Sequence, residues 1–167
     1  MSLGNTKCNY CGENKKLIDS HLIPKCMYSM LEDGPLAVVN LSVPHPPKKS
    51  HIGIYDDGIL CEDCDGLLGV LDQYVCERFK KNKLNVVTAQ LDDGWAVDES
   101  GNSLCFELPD IDPQRLVKFV LSVLWRAHLS SRPEAKVVKL GPHADRILAI
   151  LKQDVSIEKH PYSVYLE

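Results

Sequence analysis

The apolar positions of the chain fall into long helical stretches separated by short, strand-like runs. Between residues 62 and 80, Leu67, Leu68, Leu71, Tyr74, Val75 and Phe79 recur at steps of three and four, which predicts one apolar face of a helix. A denser pattern follows, where Leu116, Val117, Phe119, Val120, Leu121, Val123, Leu124 and Trp125 wrap most of a helical circumference. That pattern predicts a core helix from Asp112 to about residue 129, with Pro113 at its first helical position. Its polar remainder, Arg115, Lys118, Ser122 and Arg126, forms one stripe. A last helix opening at Pro142 would bury Ile147, Leu148, Ile150 and Leu151.

Shorter runs predict strands around 16–19, 36–41, 84–90, 95–97, 104–108 and 162–166, with a strand or turn at 53–60. A turn through 98–102 is expected to join the 95–97 and 104–108 strands. Residues 23–31 read as a short helix with Pro24 in its first turn, and the proline-rich 33–53 segment as a long loop. The class expected is α+β, without internal repeats. Because the sequence stops on a predicted strand, it is open to being part of a longer protein.

Composition narrows the setting. With 167 residues, 44% hydrophobic and 25% charged, the chain suits one globular domain or a domain with a small appendage, and wholesale disorder is excluded. No run approaches the ~18 apolar residues of a membrane span, and residues 1–7 lack the apolar core of a secretory signal. Seven cysteines are too sparse for a disulfide scaffold, so a reducing, cytoplasmic location is the expectation.

The net charge of -4 argues against a protein that coats nucleic acid through charge alone. Charge is uneven, however. Residues 92–112 carry acids and no Lys or Arg, whereas 113–152 are mainly basic. Arg115, Lys118 and Arg126 could therefore track a phosphate backbone, aided by the cluster around Arg78 and Lys81. The alternative for Arg126 is an ion pair with a carboxylate of the acidic segment.

Cys8-Asn9-Tyr10-Cys11 and Cys61-Glu62-Asp63-Cys64 are two Cys-x-x-Cys pairs. Each spacing lets two thiolates of one tight turn grip a tetrahedral ion, so Cys8, Cys11, Cys61 and Cys64 are expected to form a four-sulfur structural zinc site. The second pair opens the predicted 62–80 helix, whose N-terminal dipole favours thiolate. Cys26, Cys76 and Cys105 remain, with Cys76 expected as a small core residue.

The order of these motifs is a cysteine knuckle, then Ser20-His21-Leu22-Ile23-Pro24, then Leu60-Cys61-x-x-Cys64 at a helix start. Over residues 7–81 it resembles the HNH endonucleases of the treble-clef, ββα-metal class that carry a four-cysteine zinc. The whole chain also looks like a group of uncharacterised bacterial proteins related to HNH nucleases. That likeness rests on 20–25, Gly53-Ile54-Tyr55-Asp56, Cys64-Asp65, 121–127 and Leu140-Gly141-Pro142.

The resemblance implies a zinc-stabilised HNH-like region over 1–83, and over 84–167 a strand hairpin and helical region packed on it. It implies His21 as general base, Asp65 at the helix position that in the family supplies a His metal ligand, and Asp56 or Asp57 near an orienting Asn. Ser20 stands where the family has an Asp ligand. Asp72, seven residues beyond Asp65 on the same helical side, is a second carboxylate able to compensate. With Mg²⁺ or Mn²⁺ held there, a neutral His21 would deprotonate water for phosphodiester hydrolysis, DNA being the expected partner. His51 lies within reach along the loop. The competing expectation is a non-catalytic zinc module for nucleic acid or an unknown protein partner. A sensor built on the spare cysteines is a third.

Overall fold

The computed structural model describes residues 6–28, 36–38, 48–50, 53–82, 85–89, 103–107 and 110–152. They form an α+β fold of small antiparallel sheets and four helices. Strands β1 (Thr6–Lys7) and β2 (Asn14–Lys15) pair through Thr6↔Lys15 and Lys7↔Asn14, and the first cysteine pair occupies the turn between them. The turn closes because the Gly12 N–H donates to the Cys8 carbonyl at 2.8 Å. Gly12 has φ +81°, a left-handed conformation that side chains with a Cβ resist.

The second sheet pairs β3 (Leu17–His21) with β6 (Tyr55–Cys61). Leu17↔Cys61 and Ile18↔Leu60 lie in register, and so do Ser20↔Asp56 and His21↔Tyr55, but the register shifts between them. The excess residues sit on β6 around Asp57 and Gly58, and the Asp56 carboxylate fixes this bulge by accepting the Gly58 N–H at 2.8 Å. Between these strands come α1 (Lys25–Tyr28) and the pair β4 (Leu36–Val38) and β5 (Lys48–Ser50).

Helix α2 (Glu62–Asn82) leaves β6 without a connecting loop. Glu62, Asp63 and Asp65 in its first turn and Lys80 and Lys81 in its last oppose the helix dipole. Its buried positions are Cys64, Leu68, Asp72, Val75 and Cys76, spaced by three and four. The expected face is kept for Leu68 and Val75, which are buried, and for Leu71, Tyr74 and Phe79, which are half-buried. Leu67, in contrast, is 63% exposed because the core lies on the side set by Cys64. Strands β7 (Asn85–Ala89) and β8 (Ser103–Glu107) then pair with each other from Asn85↔Glu107 to Ala89↔Ser103. The partner expected for β8, residues 95–97, and the strand expected at 162–166 lie outside the described residues.

Helix α3 (Pro113–Leu129) starts as its sequence predicts, with Asp112 Oδ1 accepting from the Gln114 N–H at 2.8 Å and Pro113 following the cap. A single 3-10 turn, Pro133–Ala135, leads towards α4 (His143–Lys152). One core joins the regions: Cys8, Leu22, Ile59, Leu60, Cys61, Cys64 and Leu68 pack with Leu121, Trp125, Ala135, Ile147 and Ile150. Trp125 is 2% exposed, as expected of a core residue. Among the described residues no helix is long and apolar enough to cross a membrane.

Candidate functional site

The two cysteine pairs, 49 residues apart in sequence, come together because β3–β6 pairing carries Cys61 back to the knuckle. One sulfur from each of Cys8, Cys11, Cys61 and Cys64 lies within 4.8 Å of the others. A tetrahedral ion with metal–sulfur bonds of ~2.3 Å needs sulfur–sulfur edges of ~3.8 Å, so the donor set fits a metal such as zinc. Cys8, Cys61 and Cys64 are buried and Cys11 half-buried. Asn9 locks the knuckle to β6, its side-chain amide donating to Ile59 O at 3.0 Å and its backbone N–H to the same carbonyl at 3.1 Å.

Electrostatics already favour one thiolate. Burial raises the Cys8 thiol, but N–H groups of Cys11, Cys61 and Tyr10 outweigh it and bring the group down to about 7. The Cys61 N–H reaches Cys8 Sγ at 3.4 Å. Burial pushes the Cys61 and Cys64 thiols up, so a cation is what would let all four ionise together.

Tyr10, inside the first pair, ties this cluster to the C-terminal helices. Its ring meets Trp125 edge-on with centroids 6.1 Å apart, and its hydroxyl donates to the Leu151 carbonyl at 3.1 Å. Burial raises the Tyr10 phenol, which keeps that donor protonated.

His21 ends β3 half-buried, opposite Tyr55, with the ring centroids 6.5 Å apart. Its backbone carbonyl accepts from Arg126 Nη1 at 2.9 Å. The same guanidinium closes two bonds on Asp72, Nη1 to Oδ2 and Nη2 to Oδ1, both 2.9 Å. This pairing corrects two expectations. Arg126 is 2% exposed and occupied inside the core, so it does not belong to a nucleic-acid surface. Both Asp72 oxygens are taken up by Arg126, which removes it as the free second carboxylate beside His21. Burial pushes the Asp72 carboxyl up and Arg126 opposes the rise; Asp65 and His21 are near enough to act on it as well.

Asp65 is half-buried on the first turn of α2, next to Cys64. Ser20 is fully buried, with its hydroxyl 3.5 Å from the Ile18 carbonyl. Asp56 serves as an anchor for the end of α3. Its Oδ2 accepts from Ser130 Oγ at 2.8 Å and from the Ser131 N–H at 2.9 Å. Burial would raise the Asp56 carboxyl, yet these donors hold it below its ordinary value. Asp57 lines a cleft of about 170 Å³ with Asp19, Tyr55, Asp56, Ser131 and Arg132. His51 lies outside the described residues.

The remaining basic candidates draw together where α2 meets α3. Arg78 and Arg115 both lie against the Tyr74 ring, 5.3 and 4.6 Å from its centroid. Tyr74 is held by accepting the Asp112 N–H at 2.8 Å. Lys81 pairs with Asp110 at 3.4 Å between exposed side chains, and Lys118 lies half-buried one turn beyond Arg115. Acidic neighbours therefore dilute the patch.

Sequence reasoning missed the Arg126–Asp72 pair, although an Arg beside Trp125 in an apolar run and an Asp at i+4 from Leu68 were its signals. Cys76 is 3% exposed, as expected of a small core residue, but its disulfide with Cys26 was missed. The side chain of Cys105 is outside the described part. Comparison of the chain with known families, curated proteins and solved structures finds no match.

Proposed function

We propose that the chain is a metal-dependent, HNH-like endonuclease on a zinc-stabilised treble-clef scaffold. The observation that carries this reading is the placement of His21 at the end of a β-strand pair whose following helix bears Asp65 and half of the four-cysteine cluster. A knuckle, a hairpin and a helix beginning at the second cysteine pair are the parts that a treble clef requires. His21 would accept a proton from water as general base. Asp65 is the carboxylate that would hold Mg²⁺ or Mn²⁺, and such an ion would supply charge stabilisation to the phosphate. Tyr74 with Arg78, Arg115, Lys81 and Lys118 would bind the DNA backbone in a sequence-independent way. A cytoplasmic location goes with the reading, since four cysteines kept for a metal and not paired in disulfides suit a reducing medium.

A second reading is favoured by the Asp72–Arg126 pair. Among the described residues, the four cysteines are the one cluster of three or more metal-ligating side chains, and Asp72, the carboxylate near Asp65, is engaged by Arg126. The scaffold would then act as a non-catalytic zinc module binding nucleic acid or a protein. Plasmid cleavage with Mg²⁺, Mn²⁺ or Ni²⁺ separates the two, comparing the zinc-loaded chain with its His21→Ala variant. Cleavage lost in the variant is the expected result. Equal cleavage in both removes His21 as base, and DNA binding without cleavage favours the second reading.

A further inference from the structure

The Cys26–Cys76 disulfide takes no part in the metal cluster or the proposed chemistry. It joins α1 to α2 across 50 residues of sequence, with the two Cα atoms 6.0 Å apart. On α2, Cys76 stands twelve residues beyond Cys64, which at 1.5 Å per residue separates the disulfide from the metal cluster by roughly 18 Å along the helix. Exchange of thiols between the two groups is therefore not a local event.

The two ends of the disulfide are seated differently. Cys76 is 3% exposed, beside Val75 and one turn beyond Asp72, on a helix fastened by the common core. Cys26 is half-buried on α1, a single turn that buries no residue of its own. Beyond the disulfide, α1 is held through Tyr28, whose hydroxyl accepts the Ile54 N–H at 3.2 Å. The Tyr28 ring lies against Gly53, where φ is +81° and a Cβ would overlap the ring carbons. The link therefore joins a single half-buried turn to a helix that the common core fastens independently. Segments of this kind open locally at low cost once a tether is cut.

We propose that Cys26 and Cys76 form a reversible thiol–disulfide site, exchanging with low-molecular-weight thiols and disulfides, whose oxidised form fastens α1 to α2. In the oxidising direction the Cys26 thiolate attacks one sulfur of a small disulfide and displaces one thiolate from it. The Cys76 thiolate then attacks the Cys26 sulfur of the mixed disulfide, forms the internal bond and releases the second small thiolate. Two cysteine thiols are oxidised, one small disulfide is reduced to two thiols, and the two protons leaving the cysteines pass to the products. Attack begins at Cys26 because it is the more accessible partner. An ion held by Cys8, Cys11, Cys61 and Cys64 would draw charge from those sulfurs and so lower their nucleophilicity in the exchange.

The test is a titration of the full zinc-loaded chain across a series of glutathione to glutathione disulfide ratios at neutral pH. Acid quenching, alkylation and peptide mapping read each cysteine, metal analysis reads zinc, and hydrogen exchange reads the Met27 and Ile54 amides. Cys26 and Cys76 are expected to convert together while zinc stays bound at one equivalent. The two amides should exchange at least tenfold faster in the reduced form, with α2 unchanged. Cys26→Ser should keep zinc and show the fast exchange even under oxidising conditions. The proposal is overturned if the pair never converts, or if exchange is equal in both forms. Zinc loss on reduction, or a Cys26→Ser chain that does not fold, would also overturn it by making the link a permanent structural one.

Discussion

Arg126 on α3 and Asp72 on α2 form a buried two-point ion pair, both bonds 2.9 Å, although 54 residues separate them in sequence. The same guanidinium donates to the His21 carbonyl and, through Nε, to the Ser122 carbonyl at 3.4 Å. One side chain thus fixes the end of β3 relative to both long helices. Removing either partner leaves the other charge buried without compensation, which costs about 3–5 kcal/mol. Arg126→Met and Asp72→Leu should each lower the unfolding free energy of the zinc-loaded chain, read from urea titration, by that amount, and the double variant should recover much of the loss. Single variants as stable as wild type would contradict this role.

Metal removal should reach beyond the knuckle. Structural zinc contributes about 10–16 kcal/mol in finger peptides, comparable with the whole stability of a domain. Tyr10 carries the cluster's order to Trp125 and Leu151. Chelation is therefore expected to raise amide exchange in β3, β6 and also α4, with one zinc released per chain. Protection of α4 that survives verified metal removal would show the C-terminal helices to be independent of the cluster.

Asp56 should make stability sensitive to acid. Its folded-state carboxyl lies below the ordinary value, so the folded protein binds its proton less readily than the unfolded chain. Its contribution is present above the unfolded value, near pH 4, and is lost as pH falls through the folded one. Asp56→Asn should cost about 1–3 kcal/mol near neutral pH by breaking charge-assisted bonds to Ser130, Ser131 and Gly58, and should flatten the acid limb of the stability profile. An unchanged acid limb would remove Asp56 as its source.

If the Tyr74 face binds a DNA backbone, Arg78→Ala and Arg115→Ala should weaken binding evenly across sequences. Each should lower the salt dependence by about one unit of slope. Fluorescence anisotropy at several salt concentrations measures both, and a slope unmoved by either variant places the contact elsewhere.

How far the chain could be read from its residues differs from element to element. Helix α3 was legible because its determinants are local: Asp112 caps it, Pro113 opens it, and its apolar positions follow one another. The cysteine pairs were legible for the same reason, each being a four-residue turn. Orientation was harder. The apolar residues of α2 give one face, but spacing does not fix which of its edges is covered: the Cys64 side is buried and Leu67 is left exposed. The pairing of β8 with β7 was not foreseen, because the two strands are separated by residues 90–102 in sequence.

The sequence by itself determined the α+β class, the two cysteine knuckles and the start of α3, because spacing and caps act over a few residues. Only the tertiary structure decided which side chains meet. It set Arg126 on Asp72, Asp56 on Ser130 and Cys26 on Cys76, across 54, 74 and 50 residues. No local pattern encodes those encounters. They follow from the packing of α2 and α3 on the β3–β6 sheet, where burial requires each charge or polar group to find a partner.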